Sequence, residues 1–394
     1  MSEWKKVKLG DIASAIQTGP FGSQLHQSDY SDVGTPVVMP KDIVCGKIDV
    51  SAIARVESHH VERLSRHKIN EGDILYARRG DVGKCAYTDK SQTGWLCGTG
   101  CLRVTVDKAK AMPEFVFFQL QKKDTVGWVE KHAIGATMLN LNTSILSNVP
   151  IELPSLSTQH RIATILSRYD SLIENYQKQI KLLEEAAQRL YKEWFVDLHF
   201  PGHENTKIVD GVPEGWEKKK IVDVVVYYDK QRKPLSSMQR MNMEKIYPYY
   251  GAAALMDYVD SYLFDGIYLL LGEDGTVITP DNFPVLQYVW GKFWVNNHAH
   301  VLRGKDGIST EFLYSMFKEM PIADVVTGAA QPKISQGRLS DKKILMPSLK
   351  LIQEWSCIAK HYFGRIRMIT EQIRLLTEAR DRLLPKLMSG EIEI

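Results

Sequence analysis

The sequence lacks the segments that would place a protein in a membrane. No apolar run approaches the ~20 residues needed to span a bilayer, and Met1-Ser2-Glu3-Trp4-Lys5-Lys6 has no apolar stretch of the kind that a signal peptide needs. The five cysteines are odd in number and irregularly spaced, unlike a disulfide framework. We therefore expect a cytoplasmic protein with reduced thiols and no membrane partner.

A strong charge of either sign is also absent. The formal net charge of the 394 residues is +3 at pH 7, so a surface for a polyanion must come from local clustering of Lys and Arg. A hydrophobic content of 44% is ordinary for globular proteins. The length and composition predict two or three domains with their own cores.

Common catalytic signatures are missing too. Gly80–Lys84 resembles a phosphate-binding loop but is too short and lacks the Ser or Thr after the lysine. No Asn-Pro-Pro or Asp-Pro-Pro sequence, which amino-methyltransferases use to hold a target base, occurs in the chain. Cys97 and Cys101 have no second pair to complete a zinc site. We predict no catalytic residue and no metal site, and interpret the chain as a binding protein.

What the sequence does contain is an internal repeat. Pro154-Ser155-Leu156 recurs as Pro347-Ser348-Leu349, a shift of 193 residues, and the same shift relates several later pairs. The two halves also begin alike, at Trp4 and at Trp216, although with a different offset. The sequences between these anchors diverge. The repeat therefore predicts the order globular domain, shared helix, globular domain, shared helix.

Each shared segment has an apolar seam with steps of three and four residues, typical of a long helix that pairs with another. The first helix is expected from about Thr158 to about Trp194, with Ser157 or Thr158 as its cap and a length of roughly 55 Å. An antiparallel pair is favoured over packing of each helix on its own domain only. The predicted pairing residues are Ile165, Tyr169, Leu172, Tyr176, Ile180, Leu183, Leu190, Ile358, Tyr362, Ile369, Ile373, Leu376 and Leu383.

Short β-like runs separated by Gly, Asp and Asn, and followed by short helical patterns, predict an α+β fold for the domains. The predicted boundaries are 1–152 and 206–345 for the two globular domains, and 153–205 and 346–394 for the two helices. The predicted fold is thus two globular domains separated by a coiled-coil spacer of two long antiparallel helices, with a pseudo-twofold internal repeat.

Several loops are candidates for phosphate contact. Arg78–Lys84 combines cations with glycines, and Gln17–Gln24 is a polar glycine loop. The analogues in the second half are Gly272–Thr276 and Gln331-Pro332-Lys333. For each loop alone, an ordinary surface turn is the favoured interpretation, and the occurrence of such loops in both halves is what makes them candidates. The lysine clusters near the start of each half also have two readings, phosphate contact or protection of an edge strand.

The repeat, the helices and the loops resemble the DNA-specificity subunits of type I restriction-modification enzymes. The resemblance covers the whole chain, and its most characteristic motifs are Gly19-Pro20-Phe21-Gly22-Ser23, Lys41-Asp42-Ile43, Gly80-Asp81-Val82-Gly83-Lys84 and Pro-Ser-Leu-x-x-Gln from Pro154 to Gln159. It implies two target-recognition domains that each read half of a bipartite site in double-stranded DNA, and helices that set the unread gap.

The resemblance further implies docking of two modification subunits, which methylate adenine at N6, and of restriction subunits. S-adenosylmethionine, ATP and magnesium would be used by those partners, and this chain would hold no cofactor. The alternative is a non-catalytic coiled-coil regulator or scaffold unrelated to methylation. The candidate DNA contacts are Gln17, Thr18, Gly19, Ser23, Lys41, Arg78, Arg79, Lys84, Lys218, Lys219, Gln331 and Lys333.

Overall fold

The computed structural model describes residues 4–135, 139–328 and 331–394. The chain forms two compact units. Unit 1 contains Met1–Glu174 and Arg374–Ile394, and unit 2 contains Asn175–Ile373. The predicted first domain, 1–152, includes residues 1–3 and 136–138, which lie outside the described ranges, as do residues 329–330 of the predicted second domain. Among the described helices, none is long and apolar enough to cross a membrane.

Unit 1 combines short strands with short helices and part of each long helix. Its strands are β1 (Lys5–Lys8), β2 (Ala13–Thr18), β3 (Tyr30–Ser31), β4 (Thr35–Val38), β5 (Ile43–Val44), β6 (Lys47–Ile48), β7 (Ala54–Val56), β8 (Asp73–Ala77), β9 (Cys85–Tyr87), β10 (Leu96–Cys97), β11 (Cys101–Val106) and β12 (Pro150–Leu153). Its helices are α1 (Leu9–Ile12), α2 (Ser58–Arg63), α3 (Pro113–Leu120), α4 (Lys123–His132), α5 (Thr143–Ser147) and the first part of α6 (Leu156–Phe195).

The central sheet of unit 1 has the order β2-β11-β8-β9, with antiparallel neighbours. Strand β8 is buried along its whole length because both faces of the sheet are covered. Ile74 and Tyr76 enter the core that contains helix α3, whereas Leu75 and Ala77 enter the core under the second sheet, β10-β4-β7-β3. The continuous apolar run of β8 follows from this double burial.

Unit 2 has the same kinds of elements. Its strands are β13 (Ile208–Val209), β14 (Val212–Pro213), β15 (Glu217–Lys220), β16 (Val225–Tyr227), β17 (Tyr247–Tyr250), β18 (Leu255–Val259), β19 (Phe264–Asp265), β20 (Tyr268–Gly272), β21 (Leu286–Val289), β22 (Lys292–Val295), β23 (Ala299–Gly304), β24 (Val326–Thr327), β25 (Lys333–Ile334) and β26 (Lys343–Met346). Its helices are α7 (Ile221–Val224), α8 (Ser237–Met241), α9 (Thr310–Lys318), α10 (Gln336–Asp341), the end of α6 and most of α11 (Leu349–Met388).

Unit 2 repeats the central sheet of unit 1 and three neighbouring strands of its second sheet. The central sheet, β16-β23-β20-β21, has the same order and the same antiparallel pairing as β2-β11-β8-β9. In each second sheet one parallel pair occurs, β10 with β4 and β17 with β22. The ribbons β1–β12 and β15–β26 also correspond. The repeat that the sequence shows at its anchors therefore extends through the divergent regions at the level of backbone topology.

Helices α6 and α11 span 40 residues each. Ser155 Oγ accepts a hydrogen bond from the Thr158 amide, and Ser348 Oγ accepts one from the Leu351 amide. The serine of each Pro-Ser-Leu sequence is thus the N-terminal cap. The expectation of Ser157 or Thr158 as the cap is wrong, because the helix begins at Leu156, two residues before the expected start.

Segments of the two long helices share a core within each unit. In unit 1, Ile162 and Leu166 near the start of α6 lie in one apolar cluster with Leu387 and Met388 at the end of α11. Asp170 and Arg380, one turn further in, form an ion pair of 2.6 Å. In unit 2, the rings of Tyr191 and Trp355 meet edge to face. The start of one helix therefore packs with the end of the other, and the predicted fold class with an antiparallel pair is confirmed.

The predicted seam needs correction at two positions. Leu172 and Ile358 are each 40% exposed, whereas their neighbours Ile173 and Ala359 are buried. Both helices also pack on the sheets and short helices of their unit, so each buries a stripe wider than a heptad seam. Ile369 is fully buried, and the other predicted pairing residues are half-buried along the edge of this stripe: Ile165, Tyr169, Tyr176, Ile180, Leu183, Leu190, Tyr362, Ile373, Leu376 and Leu383.

Candidate nucleic-acid interface

In unit 1, three chain segments cross where the strands of the two sheets end. The turn between β10 and β11 lies at the centre of this crossing. The Gly98 amide donates to the Val38 carbonyl (2.9 Å), and the Arg78 amide donates to the Gly100 carbonyl (2.8 Å). The Gly19 amide donates to the Cys101 carbonyl (2.9 Å). These backbone bonds bring together the ends of β2, β4 and β8.

The crossing is too tight for side chains. A Cβ atom on Gly19 would lie 1.8 Å from the Gly98 carbonyl oxygen, and one on Gly98 would lie 2.4 Å from the Met39 sulfur. A Cβ atom on Gly100 would lie 2.7 Å from a ring carbon of Pro40. The predicted role of Gly19 in phosphate contact is therefore corrected: Gly19 is buried, and it is glycine because two backbones touch there.

A second set of bonds attaches the Arg78 loop to the segment before α5. The Leu141 amide donates to the Arg78 carbonyl (2.8 Å), and the Gly80 amide donates to the Leu139 carbonyl (3.3 Å). Between these bonds, Arg79 and Asn140 face each other in an isolated β-bridge. We call the crossing and this attachment together the loop frame of unit 1.

Unit 2 contains four of the five backbone hydrogen bonds of this loop frame. The Glu273 amide donates to the His298 carbonyl (2.8 Å), and the Ile334 amide donates to the Glu273 carbonyl (2.8 Å). The other two of these bonds run from Gly275 to the Pro332 carbonyl (3.1 Å) and from Asn296 to the Tyr250 carbonyl (3.1 Å). The predicted loops Gly272–Thr276 and Gln331–Lys333 are therefore structural counterparts of the Arg78 loop and its partner segment.

The side chains on the two frames differ in charge. The β-bridge of Arg79 with Asn140 in unit 1 corresponds to that of Asp274 with Lys333 in unit 2. The hydrogen-bond pattern likewise pairs Arg78 with Glu273. One backbone geometry thus carries two cations in unit 1 where it carries two carboxylates in unit 2.

Of the two carboxylates of unit 2, Glu273 is held by a network of largely buried charged groups. Arg232 donates to Glu273 (2.7 Å) and to the Ala299 carbonyl (2.6 Å), with its side chain only 12% exposed. His300 is buried, with Nδ1 at 2.6 Å from Asp229 and Nε2 at 2.8 Å from the Ile334 carbonyl. Asp229, Glu273 and His300 are spaced closely enough to share a cation. The guanidinium of Arg232 already supplies the positive charge there, so this cluster is an ion-pair network.

Two predicted contacts at the end of β2 are engaged inside unit 1. The Gln17 side-chain oxygen accepts a hydrogen bond from Arg103 (2.6 Å), and the Thr18 carbonyl lies 3.1 Å from His67 Nδ1. Burial lowers the pKa of His67, outweighing the bond to Thr18. His67 Nε2 is buried without a hydrogen-bond partner among the described residues. Both observations favour a neutral imidazole that supports the strand end.

All of the remaining predicted contacts except Arg78 are exposed. Lys84 pairs with Asp81 at 2.9 Å, and Lys333 Nζ lies 3.6 Å from Glu273. Lys219 pairs with Glu217 at 3.2 Å on the ribbon β15–β26. The other exposed members are Ser23, Lys41, Arg79, Lys218 and Gln331, while Arg78 is half-buried. Of the twelve predicted contacts, the loop frames include Gly19, Arg78, Arg79 and Lys333 directly.

Sequence reasoning missed the turns that organise both frames. Gly98-Thr99-Gly100 in unit 1 and Asn296-Asn297-His298 in unit 2 have no common residue, so no repeat was visible. Asn140 was also missed, because its neighbour across the bridge is 61 positions away in the sequence. The closely spaced glycines of Gly98-Thr99-Gly100 were the one signal available for close backbone approach.

Known proteins resemble this chain in sequence and in fold. The model of the type I restriction modification DNA specificity domain matches residues 1–185 and 213–374. The type I restriction enzyme MjaIX specificity subunit of Methanocaldococcus jannaschii is 24% identical over 420 aligned residues, covering all of this chain and 94% of that protein. A putative type I specificity subunit of Haemophilus influenzae, S.HindORF215P, is 32% identical over 148 residues, 38% of this chain and 37% of that protein.

A solved structure agrees with the fold. The crystal structure of the type I restriction-modification S subunit from M. genitalium aligns with a TM-score of 0.60 at 18% identity, over 98% of this chain and 96% of that one. With both domain matches, the chain belongs to the family of type I restriction-modification DNA specificity subunits. The resemblance drawn from the sequence is confirmed, and recognition of a DNA target is the function of the family to which the chain belongs.

Proposed function

We propose that this chain reads a bipartite sequence in double-stranded DNA, with one half-site for each unit and an unread gap between them. The observation that carries the proposal is the duplicated loop frame, which presents different side chains on one backbone geometry. Base edges in the major groove carry a distinct pattern of donors and acceptors for each base pair. Two equal frames with unequal side chains are suited to two unequal half-sites.

In this proposal the long helices set the gap and dock the other subunits. Two modification subunits would methylate adenine at N6, and restriction subunits would add cleavage. S-adenosylmethionine, ATP and magnesium would belong to those partners, and this chain would contribute recognition without catalysis. The proposal draws support from the continuous 40-residue helices and from the names of the relatives, which are subunits of type I restriction enzymes.

The experiment is long-read detection of methylated adenine in cells that express this chain with its modification subunit. We expect a bipartite motif with a fixed gap, present only when this chain is present. If the two proteins associate but no new methylation appears, the assembly is inactive and the proposal fails for it. If they do not associate, the alternative of an unrelated coiled-coil regulator is favoured.

The spacer role has its own test. One heptad inserted into both α6 and α11, near their midpoints, should lengthen the gap of the methylated motif and leave both half-site sequences unchanged. A heptad in α6 alone should mismatch the pair and destabilise the chain. Altered half-site sequences after the double insertion would contradict the assignment of the gap to the helices.

A further inference from the structure

We propose that base sequence is read at equivalent rim positions of the two loop frames: Arg79 and Asn140 in unit 1, and Asp274, Lys333 and His298 in unit 2. This inference rests on the proposed function and assigns its specificity to named residues. It also separates these residues from the exposed lysines elsewhere in the chain, whose contacts would be with phosphates.

The reversal of charge is the main reason for assigning base contacts. Phosphates carry the same charge along every duplex, so a loop that only grips the backbone should be cationic in both units. The frames instead place Arg79 in unit 1 where they place Asp274 in unit 2. A carboxylate repels phosphate but accepts a hydrogen bond from the exocyclic amine of cytosine. Opposite charges on one backbone geometry fit the reading of different bases.

Unit 1 has unused hydrogen-bonding groups at this position. Asn140 Oδ1 and Arg78 Nε are both buried, and neither has a hydrogen-bond partner within residues 4–135, 139–328 and 331–394. Leaving a buried polar atom unpaired costs about 1–3 kcal/mol, which a bound ligand can recover. Asparagine pairs with adenine through two hydrogen bonds, and arginine pairs with guanine in the same way. The side chains of Asn140 and Arg79 have this chemistry.

Unit 2 presents a different set. His298 occupies the position of Gly100 of unit 1, and its side chain is 48% exposed. Its Nδ1 lies 2.5 Å from Asp274 Oδ1, an arrangement that fixes the ring and leaves Nε2 available. Lys333 is half-exposed beside Glu273, which also pairs with the buried side chains of Arg232 and His300. The imidazole of His298 and the ammonium group of Lys333 are therefore exposed polar groups on the rim of unit 2.

The test is selection of bound duplexes from a library randomised in both half-sites, using the complex of this chain with its modification subunit. Protein concentration is raised for each variant until half of the library is retained, so that every folded variant yields a motif. Arg79→Ala and Asn140→Ala should each relax preference within one half-site, by roughly 5- to 150-fold at the base pair contacted. His298→Ala and Asp274→Asn should relax the other half-site only.

Matched controls lie off the frames in the same units. Arg66→Ala in unit 1 and Asp260→Asn in unit 2 change exposed charges and should leave both half-sites unchanged. The melting temperature shows whether each alanine variant folds. If Arg79→Ala or His298→Ala does not fold, the polar substitution Arg79→Lys or His298→Asn is used in its place. An unchanged motif in folded frame variants, even with weaker overall binding, would overturn the inference. Selection of no bipartite motif by the wild-type complex would instead overturn the proposed function, and the inference with it.

Discussion

The ion pair of Asp170 with Arg380 is expected to fix the register of the helix pair within unit 1. It joins α6 to α11 at 2.6 Å, and the two side chains are 25% and 29% exposed. Asp381 also accepts from Arg380. Burial opposes the charge of Arg380, but the bonds to Asp170 and Asp381 outweigh this and raise its pKa. The guanidinium therefore stays charged at any pH at which the protein is folded.

The size of the effect lies between two limits. Fully exposed pairs contribute about 0.2–1 kcal/mol, whereas removal of one partner from a fully buried pair costs about 3–5 kcal/mol. Because about a quarter of each side chain is exposed, we expect a coupling energy of about 1–2 kcal/mol from the double-mutant cycle of Asp170→Asn and Arg380→Met. Water reaches the pair and screens it, which places the value nearer the lower limit.

The assay is hydrogen exchange of the backbone amides in residues 156–174, which reports local opening of α6 in unit 1. Each single variant should speed exchange roughly 5- to 30-fold, since 1.4 kcal/mol corresponds to a factor of ten. Arg382→Met is the matched control, because Arg382 is 77% exposed on the same helix and pairs with Glu378 within α11. Additive effects of the two single variants, with no coupling, would refute the assignment of register to this pair.

Three further predictions concern buried residues. Gly19→Ala should destabilise the protein by about 1–3 kcal/mol in urea unfolding, because its Cβ would meet the Gly98 backbone at 1.8 Å. Gly127→Ala is the control and should be neutral or stabilising, because there is open space around Gly127. Equal effects of the two substitutions would contradict the close backbone approach at Gly19. The pKa of His67 is lowered in the folded state, so unfolding binds a proton as the pH falls below the ordinary histidine value. The free energy of unfolding should therefore decrease as the pH falls from 7.5 to 5.5, and the decrease should be smaller in His67→Gln. An equal decrease in that variant would show that other groups cause it. Burial raises the pKa of Cys85 and Cys97 to about 12 and that of Cys101 well above its usual range, whereas Cys45 and Cys357 are exposed. A thiol reagent at pH 8 should therefore label two cysteines rapidly in the native protein and all five in urea, and fast native labelling of a third would contradict this.

The architecture was predictable because its signals are local or repeated. The seam steps and the duplicated Pro-Ser-Leu sequence give both long helices. The start of the first is displaced by two residues because Ser155, and not Ser157 or Thr158, supplies the cap. Leu172 and Ile358 were misplaced because a heptad count assumes that the partner helix is the only surface to be covered. The helices also cover sheets, which the seam does not reveal.

The loop frames were predictable only in part. Arg78–Lys84 and Gly272–Thr276 stand out through charge and glycine, and the structure places both in the same position of the two frames. Asn140 and His298 carry no such signal, because they reach the rim through long-range strand pairing. The pairing of Gln17 with Arg103 likewise depends on the neighbouring strand β11. Side-chain convergence of this kind depends on register, which local sequence does not specify.

The glycine crossing of unit 1 has a consequence for how such a protein can change. Since backbone hydrogen bonds join the ends of β2, β4 and β8, the side chains carried on the rim do not form the bonds that hold it in place. Unit 2 builds the equivalent bonds with Asn296 and His298 in place of Gly98 and Gly100, and keeps its rim on the same bonded backbone. If the rim reads DNA as proposed, a substitution there would alter the preference of one unit without removing a backbone bond of the frame, so a new specificity would not require a rebuilt loop.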